Sequence, residues 1–327
     1  MKLDLLATAP HWMDHLAPIW RRLPGGHRGQ FVSPVIMGRE ALRLHLPIGG
    51  QRSADAVLVA SWADHKKARA LGYSHIARIE HGIGQSFSDE HPSYAGGRGA
   101  EDVELFLTPN EHSARRWQDA YPHAAVRVVG SPKTDIIPAH FPGRPPIVVV
   151  SFHWSGNPAM PETGSAFADF SDALLELRDH PGFQLTMHAH PKAARQVRGW
   201  AERHALSFIE TFDDVLRVAS LYVCDGVSTL YEFAATGRPV VVLNAAAYRP
   251  HVDHGLRFWE AADVGIQVDP GDSLELAVRR GLGDAQKVQA RRRRALRAVY
   301  AHQGQATTQA VAALVEWATD IRREVAA

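Results

Sequence analysis

Two histidines and one hydroxyl-rich turn are the residues of this chain whose types and spacing best suit chemistry. His81 directly follows the predicted strand HIARIE, and His190 lies in the segment MHAHPK. The turn Asp225-Gly226-Val227-Ser228-Thr229 follows the apolar run LYVC. An imidazole can take up a proton near neutral pH, and hydroxyls with backbone N–H groups at a helix N-terminus can hold a phosphate. These patterns predict proton transfer and anion binding.

Each of these patterns also has a plainer interpretation. A His-Gly pair after a strand is most often a turn, and serine and threonine are common helix caps. The loop GSPKTD could cap the helix that follows it through Ser131, Thr134 or Asp135. The joint occurrence of several polar clusters after apolar runs is what favours a functional site.

His188 and His190 alternate along one extended segment and therefore point to opposite sides of it. A metal ion shared by the two is disfavoured for that reason. Pro191 disfavours helix at His190, which keeps His190 extended at the exit of its strand. We expect His190 to face a ligand and His188 to be a buried histidine with a hydrogen-bond partner.

Short apolar runs alternate with helix-like segments along almost the whole chain. This alternation is typical of parallel sheets covered by helices on both faces. The predicted strands are Leu3–Ala7, Gln30–Ser33, Ala56–Ala60, His75–Glu80, Leu105–Thr108, Val126–Val129, Ile147–Ser151, Gln184–His188, Ser207–Glu210, Leu221–Cys224, Val240–Leu243 and Gly265–Val268.

The proline-rich segment PAHFPGRPP, residues 138–146, divides this pattern into two halves. We therefore predict two doubly wound, Rossmann-like domains, 1–140 and 141–327, that face each other across a cleft. The last helix is an option for crossing back to the N-terminal domain. The polar clusters all follow strands, and ligands of such sheets bind at the carboxyl ends of strands.

The composition of the chain excludes several classes of protein. The 327 residues are 45% hydrophobic with a formal net charge of +1, which is ordinary for a globular protein and implies no overall polyanion partner. The single cysteine, Cys224, excludes an internal disulfide framework and a multi-thiolate zinc site. Charged residues interrupt the N-terminal segment and argue against a signal peptide. We expect a cytoplasmic protein without a membrane span.

Four segments resemble one enzyme family: EHGIGQSF, GSPKTD, MHAHPK and DVLRVASLYVCDGVSTLYEFAATGRPVVVL. The chain resembles the CDP-glycerol glycerophosphotransferases of wall teichoic acid synthesis, which have GT-B glycosyltransferase-like folds. The resemblance runs in order from about residue 75 to residue 245. The opening LLATAPHWMDHLAPIW also looks like the first strand and helix of GT-B enzymes.

The resemblance implies an N-terminal acceptor domain and a C-terminal nucleotide-donor domain. By this likeness His81 would be the general base that activates the acceptor hydroxyl, and His190 would contact the donor phosphate. Ser228 and Thr229 would hold the pyrophosphate. The further donor-binding candidates are Gly226, Lys133, Ser131, Glu232 and Ser151. No metal and no cofactor is expected, since the nucleotide-diphosphate donor is itself a substrate.

The predicted function is metal-independent transfer of a glycerophosphate or glycosyl group from CDP-glycerol or a nucleotide sugar to an acceptor hydroxyl. One alternative is a nucleotide-sugar glycosyltransferase that acts on another polyanionic or nucleic-acid acceptor. A second is an enzyme like the sugar-nucleotide 2-epimerases, which needs carboxylates for proton abstraction. A third is a binding module that has lost its base.

The run Arg291–Arg294 is the most basic segment of the chain. Such a run is usually a solvated helix face. The other option is contact with anionic lipid head groups at the inner membrane face, or with a polymeric or lipid-linked polyanionic acceptor.

Overall fold

The computed structural model describes residues 1–33, 46–82, 99–154, 164–225, 228–246 and 263–326. The chain divides into two compact units. The N-terminal unit comprises Met1–Ile136 and Tyr300–Ala327, and the C-terminal unit comprises Ile137–Val299. The last helix thus belongs to the same unit as the first strand.

The N-terminal unit is built on a seven-stranded parallel sheet with the order β3-β2-β1-β4-β5-β6-β7. Its strands are β1 (Leu3–Leu6), β2 (Arg28–Val32), β3 (Ile48–Gly49), β4 (Ala56–Val59), β5 (His75–Ile79), β6 (Val103–Thr108) and β7 (Ala125–Val128). The strand order reverses between β1 and β4, which is where open sheets of this kind bind ligands.

The C-terminal unit holds a six-stranded parallel sheet with the order β10-β9-β8-β11-β12-β13. Its strands are β8 (Ile147–Phe152), β9 (Gln184–Ala189), β10 (Ser207–Phe208), β11 (Leu221–Asp225), β12 (Val240–Leu243) and β13 (Ile266–Val268). The first six strands of the two sheets follow the same order, and here the reversal lies between β8 and β11.

Helices follow most of the strands in both units. In chain order they are α1 (Pro10–Arg22), α2 (Trp62–Ala70), α3 (Glu111–Ala120), α4 (Phe167–Leu177), α5 (Ala194–Arg203), α6 (Phe212–Val218), α7 (Ser228–Ala234), α8 (Leu274–Gly283), α9 (Gln286–Val299) and α10 (Ala306–Ala326), and a 3₁₀ helix spans Pro132–Asp135. None of the helices in the described ranges is long and apolar enough to cross a bilayer.

The central strands are mostly apolar because helices cover both of their faces, and Asp4 of β1 is a buried exception. All residues of β1 and β4 are buried. On one face of the N-terminal sheet Leu5 packs with Leu16 of α1 and Leu314 of α10. On the other face Leu6 packs in a cluster with Trp117 of α3. The two sheets and their helices confirm the predicted fold class.

The predicted strands are all present, with ends that differ from the prediction by at most two residues. The sequence did not predict β3, which is only two residues long. Asp135 of the GSPKTD loop does cap a helix, but the capped helix is α10. Its carboxylate accepts the N–H groups of Ala306 (3.2 Å) and Thr307 (2.7 Å).

The basic run lies on α9, and half of it is structural rather than solvent-facing. The Arg292 side chain is 2% exposed, pairs with Asp284 at 2.9 Å and donates to the Gly237 carbonyl at 2.6 Å. Arg291 donates to the Gly265 carbonyl at 2.6 Å. Arg293 and Arg294 are exposed. Interpreting the four arginines as one free surface was therefore wrong, because the amphipathic α9 turns two of them toward the protein.

Candidate functional site

His81 stands directly after β5 in the N-terminal unit, and its half-buried ring has a defined backbone partner. The Nδ1 atom hydrogen-bonds to the carbonyl oxygen of Ala60, the residue that follows the neighbouring strand β4. Gly82 has a φ of 143°, a backbone conformation that side chains other than glycine's rarely adopt. A residue with a side chain would therefore be strained at the position directly after His81.

The bond to Ala60 fixes the tautomer of the neutral imidazole. A carbonyl oxygen can only accept, so the Nδ1 atom of His81 must carry the proton. The Nε2 atom then carries the lone pair. Burial lowers the pKa of His81 to about 3, although the bond to Ala60 acts in the opposite direction. His81 is thus held neutral at physiological pH, with Nε2 able to accept a proton.

Other aromatic and basic side chains of the N-terminal unit surround His81. The ring centroid of Trp12 lies 5.8 Å from that of His81, and the ring of His15, also on α1, lies 6.1 Å away. Burial and then the nearby Lys133 hold the pKa of His15 well below its usual range. Lys133 also lowers the pKa of His81. Lys133 therefore lies near His15 and His81 in the N-terminal unit, and its contact with a donor stays a prediction.

Ser131, the other candidate of this loop, is buried immediately before the 3₁₀ helix. Its carbonyl accepts the backbone N–H of Thr134 at 3.0 Å and the Thr134 hydroxyl at 2.8 Å. Ser131 makes no side-chain cap. These bonds stabilise the turn that presents Lys133.

His190 follows β9 in the C-terminal unit, and its ring has the opposite tautomer to that of His81. Its Nδ1 accepts the backbone N–H of Lys192 at 3.1 Å. In the neutral ring the proton therefore lies on Nε2, which becomes a donor. The ring of His153, after β8, lies 5.0 Å from that of His190, and the Lys192 ammonium lies 3.9 Å from the ring centre of Trp154. Basic and aromatic groups thus gather at the carboxyl ends of β8 and β9.

His188 is buried in β9, with 6% of its surface exposed, and its Nδ1 lies 2.7 Å from the Ser151 hydroxyl. Its ring centroid lies 6.0 Å from that of Phe212 on α6. Ser151 is itself 3% exposed. The hydroxyl of this donor-binding candidate has an internal partner, and its contact with a donor stays a prediction.

The hydroxyl-rich turn leads into α7, which begins at Ser228. Ser228 and Thr229 are half-buried, and the Thr229 hydroxyl lies 3.0 Å from the hydroxyl of Tyr222. Glu232 is buried on the same helix with 5% of its surface exposed. Gly226 lies outside the described residues. The donor contacts of these four residues stay predictions.

Asp225 joins the strand ends of the C-terminal unit. It is 1% exposed, and its carboxylate accepts the N–H groups of His153 at 2.8 Å and Ala166 at 3.0 Å. These bonds fix the segment after β8 and the start of α4 against the end of β11. The carboxylate therefore organises the loops at the reversal of strand order.

Within the described ranges, no three His, Cys, Asp or Glu side chains lie close enough together to hold a metal ion. The expectation that the reaction needs neither metal nor cofactor stays a prediction.

Sequence reasoning overlooked two partners of the His81 region, the Ala60 carbonyl and Asp64. Ser61 caps α2 by accepting the N–H of Asp64 at 3.0 Å. The spacing Ser61-x-x-Asp64 after an apolar strand is a capping signal that would have located the start of α2. A backbone carbonyl as the partner of His81 leaves no such signal in a sequence.

No protein-family profile and no curated protein matches the chain. Solved structures match it over almost its whole length. A candidate UDP-N-acetylglucosamine 2-epimerase from Listeria monocytogenes is 15% identical with a TM-score of 0.65, covering 98% of this chain and 97% of the other. The UDP-GlcNAc 2-epimerase from Neisseria meningitidis bound to UDP-GlcNAc is 13% identical with a TM-score of 0.61, at 97% and 100% coverage.

A third match is the wall teichoic acid polymerase TagF soaked with CDPG, which is 9% identical with a TM-score of 0.60, at 99% and 90% coverage. At these identities the likeness concerns the fold alone. It agrees with the two sheets and their strand orders. The chain has a GT-B-type fold of two Rossmann-like α/β domains.

Proposed function

We propose that this protein is an enzyme that takes a nucleotide-diphosphate-linked donor and transfers the group it carries to an acceptor hydroxyl. His81 is the general base of the proposed reaction. The observation that carries the proposal is the bond from His81 Nδ1 to the Ala60 carbonyl. That bond leaves Nε2 as the proton acceptor of a ring kept neutral by burial.

In the proposed step His81 Nε2 takes the proton of the acceptor hydroxyl as its oxygen attacks the donor. If the donor is CDP-glycerol, an O–P bond forms at the phosphorus that bears glycerol, and CMP leaves. If the donor is a nucleotide sugar, an O–C bond forms at the anomeric carbon, and the nucleoside diphosphate leaves. Negative charge grows on the leaving phosphate in both cases and must be stabilised.

The C-terminal unit offers donors of hydrogen bonds for that phosphate. His190 presents Nε2–H because its Nδ1 is occupied by the Lys192 N–H. We assign the contact with the donor phosphate to His190, and that with the pyrophosphate to Ser228 and Thr229. Lys133, in the N-terminal unit, supplies positive charge beside the base. The nucleoside base, the transferred group and the acceptor are left open by this assignment.

A screen of donors by mass spectrometry tests the proposal. The protein is incubated with CDP-glycerol, UDP-GlcNAc, UDP-glucose and GDP-mannose, each with a mixture of hydroxyl-bearing acceptors. We expect one donor to lose its nucleotide and an acceptor to gain the corresponding mass. The His81→Gln variant should bind that donor without forming product. Binding of nucleotides with no turnover of any donor would favour the binding-module alternative.

A second candidate function is epimerisation of a nucleotide sugar at C2. The observation in its favour is the full-length structural likeness to UDP-GlcNAc 2-epimerases, one of them bound to UDP-GlcNAc. Inversion at C2 breaks the C2–H bond and needs no acceptor. In D₂O an epimerase would place deuterium at C2 of UDP-GlcNAc in the absence of any acceptor, whereas the proposed transferase would leave C2 unlabelled.

A further inference from the structure

The carboxylate of Asp64, in the N-terminal unit, contacts residues that lie close to His81. Asp64, in the first turn of α2, is fully buried. Its Oδ1 accepts the backbone N–H of Thr8 at 2.6 Å and the Thr8 hydroxyl at 2.7 Å. Its own N–H donates to the hydroxyl of Ser61 at 3.0 Å. Asp64 therefore ties the turn after β1 to the turn after β4, at the reversal of strand order.

Two separate contacts of His81 lead back to Asp64. The first is the Ala60 carbonyl, which accepts from Nδ1 and lies one residue before Ser61, the cap bonded to Asp64. The bond to Ser61 uses the backbone N–H of Asp64 and not its carboxylate.

The second contact is α1, which begins two residues after Thr8 and brings Trp12 and His15 to 5.8 and 6.1 Å from the His81 ring. Thr8 is held by the Asp64 carboxylate through both its N–H and its hydroxyl. The aromatic wall of His81 therefore depends on the buried Asp64 side chain, whereas the backbone partner of His81 is linked to the backbone N–H of Asp64.

Asp64 accepts fewer hydrogen bonds than another buried carboxylate of the same unit, that of Asp4. Asp4 is also fully buried, and its two oxygens accept five hydrogen bonds, including one from Tyr73. The Oδ2 atom of Asp64 accepts none from the described residues. A half-satisfied buried carboxylate costs folding free energy. A buried carboxylate with an unsatisfied oxygen is therefore expected where it holds neighbouring functional groups in position, and not where it stabilises the fold.

Given the proposed function, on which this inference rests, we propose that Asp64 is a positioning residue for His81. By holding Thr8 it fixes the start of α1, whose Trp12 and His15 rings keep the imidazole against the Ala60 carbonyl, so that His81 keeps the tautomer with the lone pair on Nε2.

The test reads the tautomer of His81 by ¹⁵N–¹H NMR of the imidazole without any substrate. The His81→Gln spectrum identifies the signals of His81 among the nineteen histidines. In the wild-type protein we expect the proton on Nδ1 and an unprotonated Nε2. In Asp64→Ala we expect a mixture of both tautomers, because Thr8 is released and the rings of α1 no longer keep the imidazole against the Ala60 carbonyl. Asp64→Asn keeps an acceptor for Thr8 and should restore most of the wild-type pattern.

The matched control is Tyr73→Phe, which removes one buried hydrogen bond from Asp4 in the same sheet. It should lower the melting temperature and leave the His81 signals unchanged. An Asp64→Ala protein that folds and keeps a single Nδ1–H tautomer would overturn the proposal. If Asp64→Ala does not fold, Thr8→Val removes the hydroxyl donor alone, and an unchanged His81 spectrum in that variant would overturn it equally.

A kinetic measurement follows once a donor is known. Asp64→Ala should lower kcat by about 10- to 100-fold, the size of effect expected when a reacting group is misplaced. The dissociation constant of the donor nucleotide should stay unchanged. If His81→Gln proves fully active, the proposed function fails, but the NMR result still decides whether Asp64 sets the tautomer of His81.

Discussion

The imidazole of His81 donates from Nδ1 to the backbone carbonyl of Ala60, across the ends of two neighbouring strands. His190 has the opposite arrangement, since its Nδ1 accepts from the backbone N–H of Lys192. One histidine is therefore prepared to accept a proton at Nε2 and the other to donate a hydrogen bond from Nε2.

Substitutions of His190 and His188 should separate donor binding from stability. His190→Ala removes a half-exposed donor and should weaken binding of the donor by about tenfold, the loss expected for one hydrogen bond to a charged group. His188→Ala breaks a buried bond to Ser151 and should lower the melting temperature with little effect on donor affinity. Calorimetric titration with the donor and thermal denaturation of both variants measure the two effects. An exchange of the two effects would contradict the assignment.

The hydroxyl of Thr229 should contribute to binding of the donor pyrophosphate. Replacing Thr229 by Val keeps the shape of the side chain and removes its hydroxyl, which we expect to cost about 1.5–3 kcal/mol of binding free energy. Tyr222→Phe removes the internal partner of that hydroxyl at 3.0 Å and serves as the comparison. A structure of the nucleotide complex with its phosphates away from Ser228 and Thr229 would show that the turn has another role.

The free energy of unfolding should fall as the pH is lowered through the range in which His81 is neutral in the folded protein and protonated in the unfolded chain. The folded-state pKa of His81 is lowered to about 3, and the unfolded chain has the ordinary value of about 6.5. Between these values the unfolded chain binds a proton that the native protein does not, so acid favours unfolding. Urea denaturation from pH 7 to pH 4 should show a weaker pH dependence in His81→Gln than in wild type. Equal slopes would mean that burial does not hold the ring neutral.

The titration of Asp64 should make the free energy of unfolding fall as the pH rises, which is opposite to the effect of His81, and over a narrower pH range. Burial raises its pKa from the ordinary value to about 6, so the native protein binds a proton that the unfolded chain lacks between about pH 4 and pH 6. Its contribution to stability is present at acid pH and is lost as the pH rises through 6. The Asp64→Asn variant should therefore lose less stability than wild type between pH 4 and pH 7 in the same titration.

Two adjacent arginines of α9 should differ sharply in their effect on stability. Arg292→Ala leaves Asp284 and the Gly237 carbonyl without their buried partner and should destabilise the protein by about 3 kcal/mol. Arg293→Ala changes an exposed side chain and should cost less than about 0.5 kcal/mol. Chemical denaturation of the two variants checks this. Similar losses would mean that α9 is rotated relative to the structure.

The fold could be predicted from the sequence because its parallel strands are buried on both faces. β4 therefore appears as a continuous apolar run, and β1 and β11 appear as apolar runs that contain one aspartate each, with helical patterns between the strands. The two-residue strand β3 has no such run. Composition alone could not separate Arg292 from Arg293, since what distinguishes them is the face of α9 on which each lies.

The candidate site could be predicted only as far as its side chains follow strands. His81 and His190 were found because each comes at the end of a predicted strand. Their tautomers depend on the Ala60 carbonyl and the Lys192 N–H, and every residue carries these backbone groups. The contact between Asp64 and Thr8 joins residues 56 positions apart, which only the pairing of β1 with β4 brings together.

The rate of group transfer by His81→Gln, compared with its affinity for the donor nucleotide, tests the central claim most directly. His27→Gln is the matched control, because the Nδ1 of His27 also contacts a backbone carbonyl, that of Met1 at 3.0 Å. We predict that His81→Gln lowers the transfer rate by about 10²- to 10⁴-fold, the usual contribution of a general base, and leaves donor affinity unchanged. His27→Gln should keep the wild-type rate. A His81→Gln protein that turns over its donor at nearly the wild-type rate would contradict the account.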